Sequence, residues 1–282
     1  MELFSGGARF VRTSVVLVAA VVLSVAAGSP AGANTGAEGA TSPSNAAEGC
    51  RRLSLATPFS VGKGSCQGVR PGAAIRTRIG GCTMSFLFRG NDGRRYIGTA
   101  GHCILKNEGK ERSWGPGKGP VARDGDDEKI GRFVYAIFKG PKDFALVRLR
   151  KDVSAKARMC HFGGPTGTND DRGPLLVRLQ YYGNGVFVSS VSAGRSAWAS
   201  GMPNPNHVFA TGVASFGDSG AGVTSADGRA VGVLATGGVH LGGVGTGGVD
   251  AGTVGITRIT PQLQRAEKVL GIDLKLRTAA PL

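Results

Sequence analysis

What most constrains this chain is the way glycine separates its short apolar runs. Its 48 glycines follow no three-residue period, which excludes a collagen-like helix and demands frequent turns. The runs between them alternate. "CTMSFLFRGNDGRRYIGTA" sets Met84, Phe86 and Phe88 at alternate positions, turns at "GNDG" and returns from Tyr96, which is a hairpin pattern. "KIGRFVYAIF" and "DFALVRL" read as strands. "PLLVRLQYYGNGVFVSSV" reads as a hairpin-like unit around "GNG", and "GVTSADGRAVGVLATGG" as another turning at "ADG". The pattern predicts an antiparallel all-β body, in sandwiches or barrels. One segment differs. "TPQLQRAEKVLGIDLKL" repeats Leu263, Ala266, Val269 and Leu270 at helical spacing. Thr260 suits the N-cap, Pro261 the first helical position, and Gly271 the stop.

The two ends read differently from this body. Arg9 and Arg12 precede the apolar run Ser14 to Ala27, and small residues follow at Ala31 to Ala33. That run is shorter than the ~20 residues of a membrane span and fits a cleaved secretory signal over residues 1–33. Residues 34–68 read as a disordered N-terminal extension or pro-segment, 69–275 as the folded domain and 276–282 as a tail. The expected product is a secreted, extracellular, monomeric protein with no membrane attachment after signal cleavage. Export permits disulfides among Cys50, Cys66, Cys82, Cys103 and Cys160. None forms a CxxC pair, so no metal site is expected. Proximity pairs Cys50 with Cys66 and leaves the partner of Cys160 open. The net charge is +15, which attracts polyanions. The basic stretch Lys106 to Lys129 has interleaved acids and one aromatic, Trp114. It reads as a solvated loop, with no nucleic-acid partner.

"FGDSGAGV" places Ser219 between glycines. A serine hydroxyl needs a base to become a nucleophile, and the base needs an orienting partner. Of the four histidines, His102 in "YIGTAGHCIL" has the most defined setting. A strand leads in, small residues allow close packing, and Cys103 follows. The hairpin between Cys82 and Cys103 brings these two cysteines together, and a disulfide there pins the histidine backbone. His161, His207 and His240 read as surface or structural residues. Asp143 heads the apolar strand "DFALVRL", beside the core. There a carboxylate can hold an imidazole in one tautomer. Asp124, Asp126 and Asp127 read as solvated, and Asp152 as exposed.

"GTAGHC", "DFALVRL" and "GDSGAG", in that order over about residues 70–270, resemble the chymotrypsin-like serine proteases, most closely their small bacterial secreted members. The order His, Asp, Ser separates that family from subtilisin-like enzymes and α/β-hydrolases. The resemblance implies two antiparallel six-stranded β-barrels with a C-terminal α-helix, and a serine endopeptidase that needs no cofactor. It implies His102 as base, Asp143 as its orienting acid and Ser219 as nucleophile. The backbone N–H groups of Gly217 and Ser219 form the implied oxyanion hole. Asp218 makes a buried ion pair in family members; Arg178 is the candidate partner here, unless it faces solvent.

Six positions before the serine, Val213 stands where the family places the base of its primary pocket. Ala235, Thr236 and Gly237 form one wall by the same carry-over. An apolar base implies cleavage after apolar or aromatic residues of a protein or peptide substrate. The chain departs from the family's Gly-Gly-Pro after the serine, with Gly220, Ala221 and Gly222, and Ala235 replaces a usual serine. The rival readings are a catalytically silent protease-fold protein that binds a protein or anionic polymer, and an esterase on the same machinery.

Overall fold

The computed structural model describes residues 66–170, 177–185, 193–199, 205–236, 239–241 and 249–282. The expected signal and residues 34–65 of the expected extension, with Cys50, lie outside them. Eight strands come first: β1 (Ala74–Thr77), β2 (Gly80–Thr83), β3 (Leu87–Gly90), β4 (Arg95–Thr99), β5 (Lys110–Ser113), β6 (Val121–Arg123), β7 (Lys129–Lys139) and β8 (Lys142–Leu149). Then follow β9 (Arg178–Gly183), β10 (Ala193–Ala199), β11 (His207–Ser215), β12 (Gly222–Ser225), β13 (Ala230–Thr236), β14 (Val239–Leu241) and β15 (Val249–Arg258). Helix α1 (Ile259–Leu270) and β16 (Leu274–Leu276) end the chain.

The strands form two antiparallel sheets. The first runs β16-β3-β4-β8-β7-β6-β1-β2, with β5 also on β7, and curls into a half-barrel. The second runs β11-β10-β9-β12-β13-β15, and β11 pairs again with β15, so six strands close into a barrel with β14 beside them. Each encloses its own core. Phe86, Phe88, Phe133 and Phe144 are fully buried in the first, and Tyr181, Val223, Val254 and Ile256 in the second. Each such side chain removed from water contributes about 1.5–3 kcal/mol.

The hairpins fall where turn chemistry predicts them. Phe88 faces Tyr96 across β3 and β4. In their turn Asp92 accepts from the Arg94 N–H at 3.0 Å and from the Tyr96 hydroxyl at 2.6 Å. β12 and β13 turn at Ala226 to Gly228 as expected. β9 pairs with β10, and the expected return segment "VFVSSV" lies outside the described residues.

Several expectations change. Cys66 bonds Cys160, not Cys50, with 5.8 Å between their Cα atoms. Sequence proximity misled because the segment before β1 runs back along the connector between the barrels. There Lys156 donates to the Val69 carbonyl at 2.9 Å and Cys160 to that of Pro71 at 3.1 Å. Cys82 bonds Cys103 as read, with Cα atoms 6.3 Å apart. Asp124 is buried, because its carboxylate accepts from the N–H groups of Asp126 and Glu128 at 3.1 and 2.9 Å. The α1 N-cap is Arg258, with no side-chain cap. Thr260 is the second residue of the helix and donates instead to Asp170. Gly271 does end the helix, at φ 65°. Val269 is exposed, and the buried face is Ile259, Gln262, Leu263 and Ala266. Residues 276–282 are tied down: Arg277 donates to Leu87, Ala279 to Pro165 and Leu282 to Phe162 at 2.8–3.0 Å.

Candidate active site

The candidate site lies where the first sheet meets the closed barrel. His102 sits in a single 3-10 turn, Gly101–Cys103, directly after β4. Asp143, second residue of β8, is 3% exposed. The two make a double contact. The His102 backbone N–H donates to Asp143 Oδ1 at 2.9 Å, and Nδ1 of the ring lies 2.6 Å from Oδ2. A buried carboxylate on Nδ1 selects the tautomer that carries its proton there and leaves Nε2 free to accept. The Asp143 N–H donates to Thr257 Oγ1 of β15 at 3.3 Å, which links the acid to the second barrel. The Thr257 hydroxyl donates in turn to the Pro141 carbonyl.

Ser219 belongs to the tight loop between β11 and β12. Gly217 and Gly220 stand at φ +97° and +91°, in the left-handed region that glycine alone enters cheaply. A Cβ on Gly220 would also lie 2.2 Å from Thr99 Oγ1 and 2.4 Å from the Thr83 carbonyl. The loop is pinned to the first sheet by one residue. Thr83 donates its N–H to the Ser219 carbonyl at 2.8 Å and its hydroxyl to the Gly217 carbonyl at 2.6 Å. The same hydroxyl accepts from the Asn184 N–H at 3.0 Å. The Ser219 carbonyl is also 3.9 Å from Sγ of Cys103, so the serine backbone lies against the residue that follows His102.

The loop's backbone donors divide into two groups. The N–H groups of Asp218, Gly220 and Ala221 donate to Ser215, Leu234 and Asp218 at 2.8–2.9 Å. Those of Gly217 and Ser219 have no acceptor among the described residues. Asp218 is fully buried, and its carboxylate accepts from the N–H groups of Gly185 and Ser215 at 2.7 and 2.8 Å. Arg178 is not held there: its guanidinium donates to Ser196 Oγ at 3.3 Å, because it lies opposite Trp198 in the β9–β10 register. Ala221 is wholly buried in the second core.

The pocket residues are less closely gathered. Val213 pairs with Ala251 of β15, whereas Thr236 pairs with Gly255. Four positions of a strand separate them, about 13 Å. Ala235 is buried, and Gly237 lies outside the described residues. His161 is buried, 4.5 Å from the Phe162 ring centre. His207 is buried opposite Thr257, with Nδ1 3.5 Å from the Pro141 carbonyl. Burial holds its pKa below the usual range, against that carbonyl and the charge of Asp143. His240 is on β14. The sulfurs of Cys82 and Cys103 lie within 4.8 Å of a His102 ring nitrogen. Joined as a disulfide, they offer no thiolate to a metal.

Thr83, Thr257 and Asn184 were not read from the sequence as site residues. Thr83 carried one signal, its place next to Cys82; Thr257 and Asn184 carried none.

The chain is similar to several solved structures. One is a glutamic acid specific serine protease described as utilizing a novel histidine triad in substrate binding. It is 17% identical over 74% of this chain and 100% of that one, with a TM-score of 0.49. Protease A of Thermobifida fusca is 15% identical over 75% and 100%, with a TM-score of 0.48. A Nocardiopsis protease is 19% identical over 74% and 98%, with a TM-score of 0.46. No curated protein matches the chain. A family model does: the trypsin-like peptidase domain matches residues 84–233. That span is more than half of the sequence and runs from the strands before His102 through the Ser219 loop. The chain belongs to the trypsin-like peptidase domain family.

Proposed function

We propose that this protein is a secreted serine endopeptidase that works through Ser219, His102 and Asp143. The observation that carries the reading is the double contact of buried Asp143 with His102, on Oδ1 and Oδ2 at once. In the proposed reaction His102 Nε2 takes the Ser219 hydroxyl proton as Oγ attacks a peptide carbonyl. Asp143 holds the ring and stabilises the imidazolium. The N–H groups of Gly217 and Ser219 donate to the tetrahedral oxyanion, each worth about 3 kcal/mol of transition-state stabilisation. His102 then protonates the leaving amine, and water attacks the acyl-serine with the same base. Val213 offers no carboxylate to Arg or Lys, which favours apolar or aromatic residues before the scissile bond. Two disulfides support an oxidising, extracytoplasmic setting, reached by cleavage of a signal after residue 33.

The test is an organophosphonate probe on the secreted protein, read by peptide mapping. The expected label is on Ser219, and Ser219→Ala abolishes it. Asp143→Asn lowers kcat about 10,000-fold with the fold intact. An unlabelled Ser219 in folded protein would return the chain to a silent, binding member of the family. Cleavage sites clustering after Arg or Lys would defeat the Val213 argument.

A further inference from the structure

The first sheet carries a groove of about 600 Å3 on the face formed by β1, β5, β6 and β7. Six cations line it: Arg76 and Arg78 from β1 and the turn after it, Arg112 from β5, Lys118 from the following loop, Arg123 from β6 and Arg132 from β7. Arg76 and Arg123 are register partners across β1 and β6. Like charges directly opposite destabilise a sheet, and the one carboxylate in the lining, Asp127, offsets only part of that repulsion. Two of the six are partly engaged. Arg132 donates to the Gly119 carbonyl, and Arg123 to that of Asp127, both at 2.7 Å. The carboxylate of Asp127 is 3.9 Å from Arg123. The side chains of Arg76, Arg78, Arg112 and Lys118 are exposed and have no hydrogen bond or ion pair among the described residues.

Two further residues define what fits. Trp114 forms an apolar wall, half-buried against the core. Thr77 lies at one end, and its hydroxyl donates to the Cys103 carbonyl at 2.7 Å. Cys103 follows His102, so one hydrogen bond links the groove's lining to the residue after the candidate base.

We propose that this groove docks an acidic segment of the polypeptide being cleaved. The inference rests on the endopeptidase reading of the neighbouring site. Unengaged guanidinium groups bind carboxylates by paired, charge-assisted hydrogen bonds. A nucleic-acid strand fits less well: single-strand binders stack successive bases on several aromatic rings, and this groove has one. The docking is present in both ground and transition states, so it lowers KM and leaves kcat alone.

The test uses one cleavable reporter peptide with an oligoglutamate or an oligoglutamine tail, the tail placed on either side of the scissile bond. At low ionic strength the glutamate tail lowers KM about tenfold (about 1.4 kcal/mol). At about 1 M salt, where the Debye length is roughly 3 Å, the difference disappears. The triple change Arg76→Gln, Arg78→Gln and Arg112→Gln raises KM for the glutamate-tailed peptide to the glutamine value, with kcat unchanged. Equal KM values for both tails in the unmodified protein overturn the groove while leaving the protease intact. A separate readout needs no turnover: oligoglutamate titrated into Ser219→Ala, with Trp198→Phe so that Trp114 reports alone. Saturation there, together with no hydrolysis of any reporter by the unmodified protein, keeps the acidic-peptide site and overturns the endopeptidase reading. Saturation by an oligonucleotide but not by oligoglutamate overturns the assignment to peptide.

Discussion

Thr83 shows how one side chain can set a loop it does not belong to. Its N–H and hydroxyl engage the carbonyls of Ser219 and Gly217, and its oxygen receives the Asn184 N–H. Replacing the hydroxyl by a methyl, as in Thr83→Val, removes two hydrogen bonds at half-buried groups, each worth about 0.5–1.5 kcal/mol. On the proposed mechanism it also frees the peptide that aims the Gly217 donor. Loss of a whole donor costs about 100–1,000-fold in kcat, so Thr83→Val should lower kcat at least about tenfold at constant KM. Thr83→Ser keeps the hydroxyl and should recover most of it. Steady-state kinetics of both variants decide the matter: a rise in KM at constant kcat would assign Thr83 to substrate binding instead. The sequence singles out His102, Asp143 and Ser219 because each sits in a short, distinctive local pattern. It does not single out Thr83 and Thr257, because their partners are 134 and 114 residues away. No local pattern encodes a contact at that range.

The elements divide in the same way. Alternation and turn residues predicted the β3–β4 and β12–β13 hairpins, since both are decided by neighbours in sequence. The start of α1 was misplaced because β15 ends at Arg258 and the helix begins at Ile259. With no intervening loop, a capping side chain has no room to act. What holds the helix is tertiary. Arg265 donates from Nε and Nη2 to both carboxylate oxygens of Glu111 on β5, each at 2.9 Å, and the Tyr135 hydroxyl adds a third bond at 2.9 Å. The Arg265 hydrogen bonds are the chief reason that the Glu111 carboxyl is held below its ordinary pKa of 4.5; burial opposes them. A carboxyl depressed in the folded state stabilises the protein above its unfolded pKa, and that contribution fades as pH falls through the folded value. Arg265→Ala should therefore lower the thermal midpoint modestly at neutral pH, with the difference closing below about pH 4.5. A deficit constant across pH would assign Arg265 to packing alone. Melting curves of the two proteins over that range provide the comparison.

At the scale of the molecule, the sequence displays the excess of positive charge but not its location. The acids interleaved through Lys106 to Lys129 pointed to a solvated loop. Folding instead turns Asp124 inward onto two backbone N–H groups, and strands from distant parts of the chain bring arginines to the same groove. The covalent frame was equally non-local. Cys66–Cys160 closes a loop of 94 positions, and Cys82–Cys103 one of 21. In the chain-entropy model the first contributes about 4.7 kcal/mol and the second roughly 3. They differ more in what they touch. Cys103 adjoins His102, and its sulfur lies against the Ser219 carbonyl. Cys66–Cys160 joins the segment before β1 to the connector between the barrels, and reaches the site only indirectly, through the Asn184 side chain that donates to the Gly72 carbonyl. Stability and activity should therefore separate. The pair Cys66→Ala and Cys160→Ala should lose about 3–5 kcal/mol by urea denaturation, while the folded fraction keeps its kcat. The pair Cys82→Ala and Cys103→Ala should lose less stability but lower kcat, because the backbone carrying His102 is no longer pinned. Equal kcat losses in the two variants would show that the long loop also positions the site, and the separation of frame from chemistry would fail.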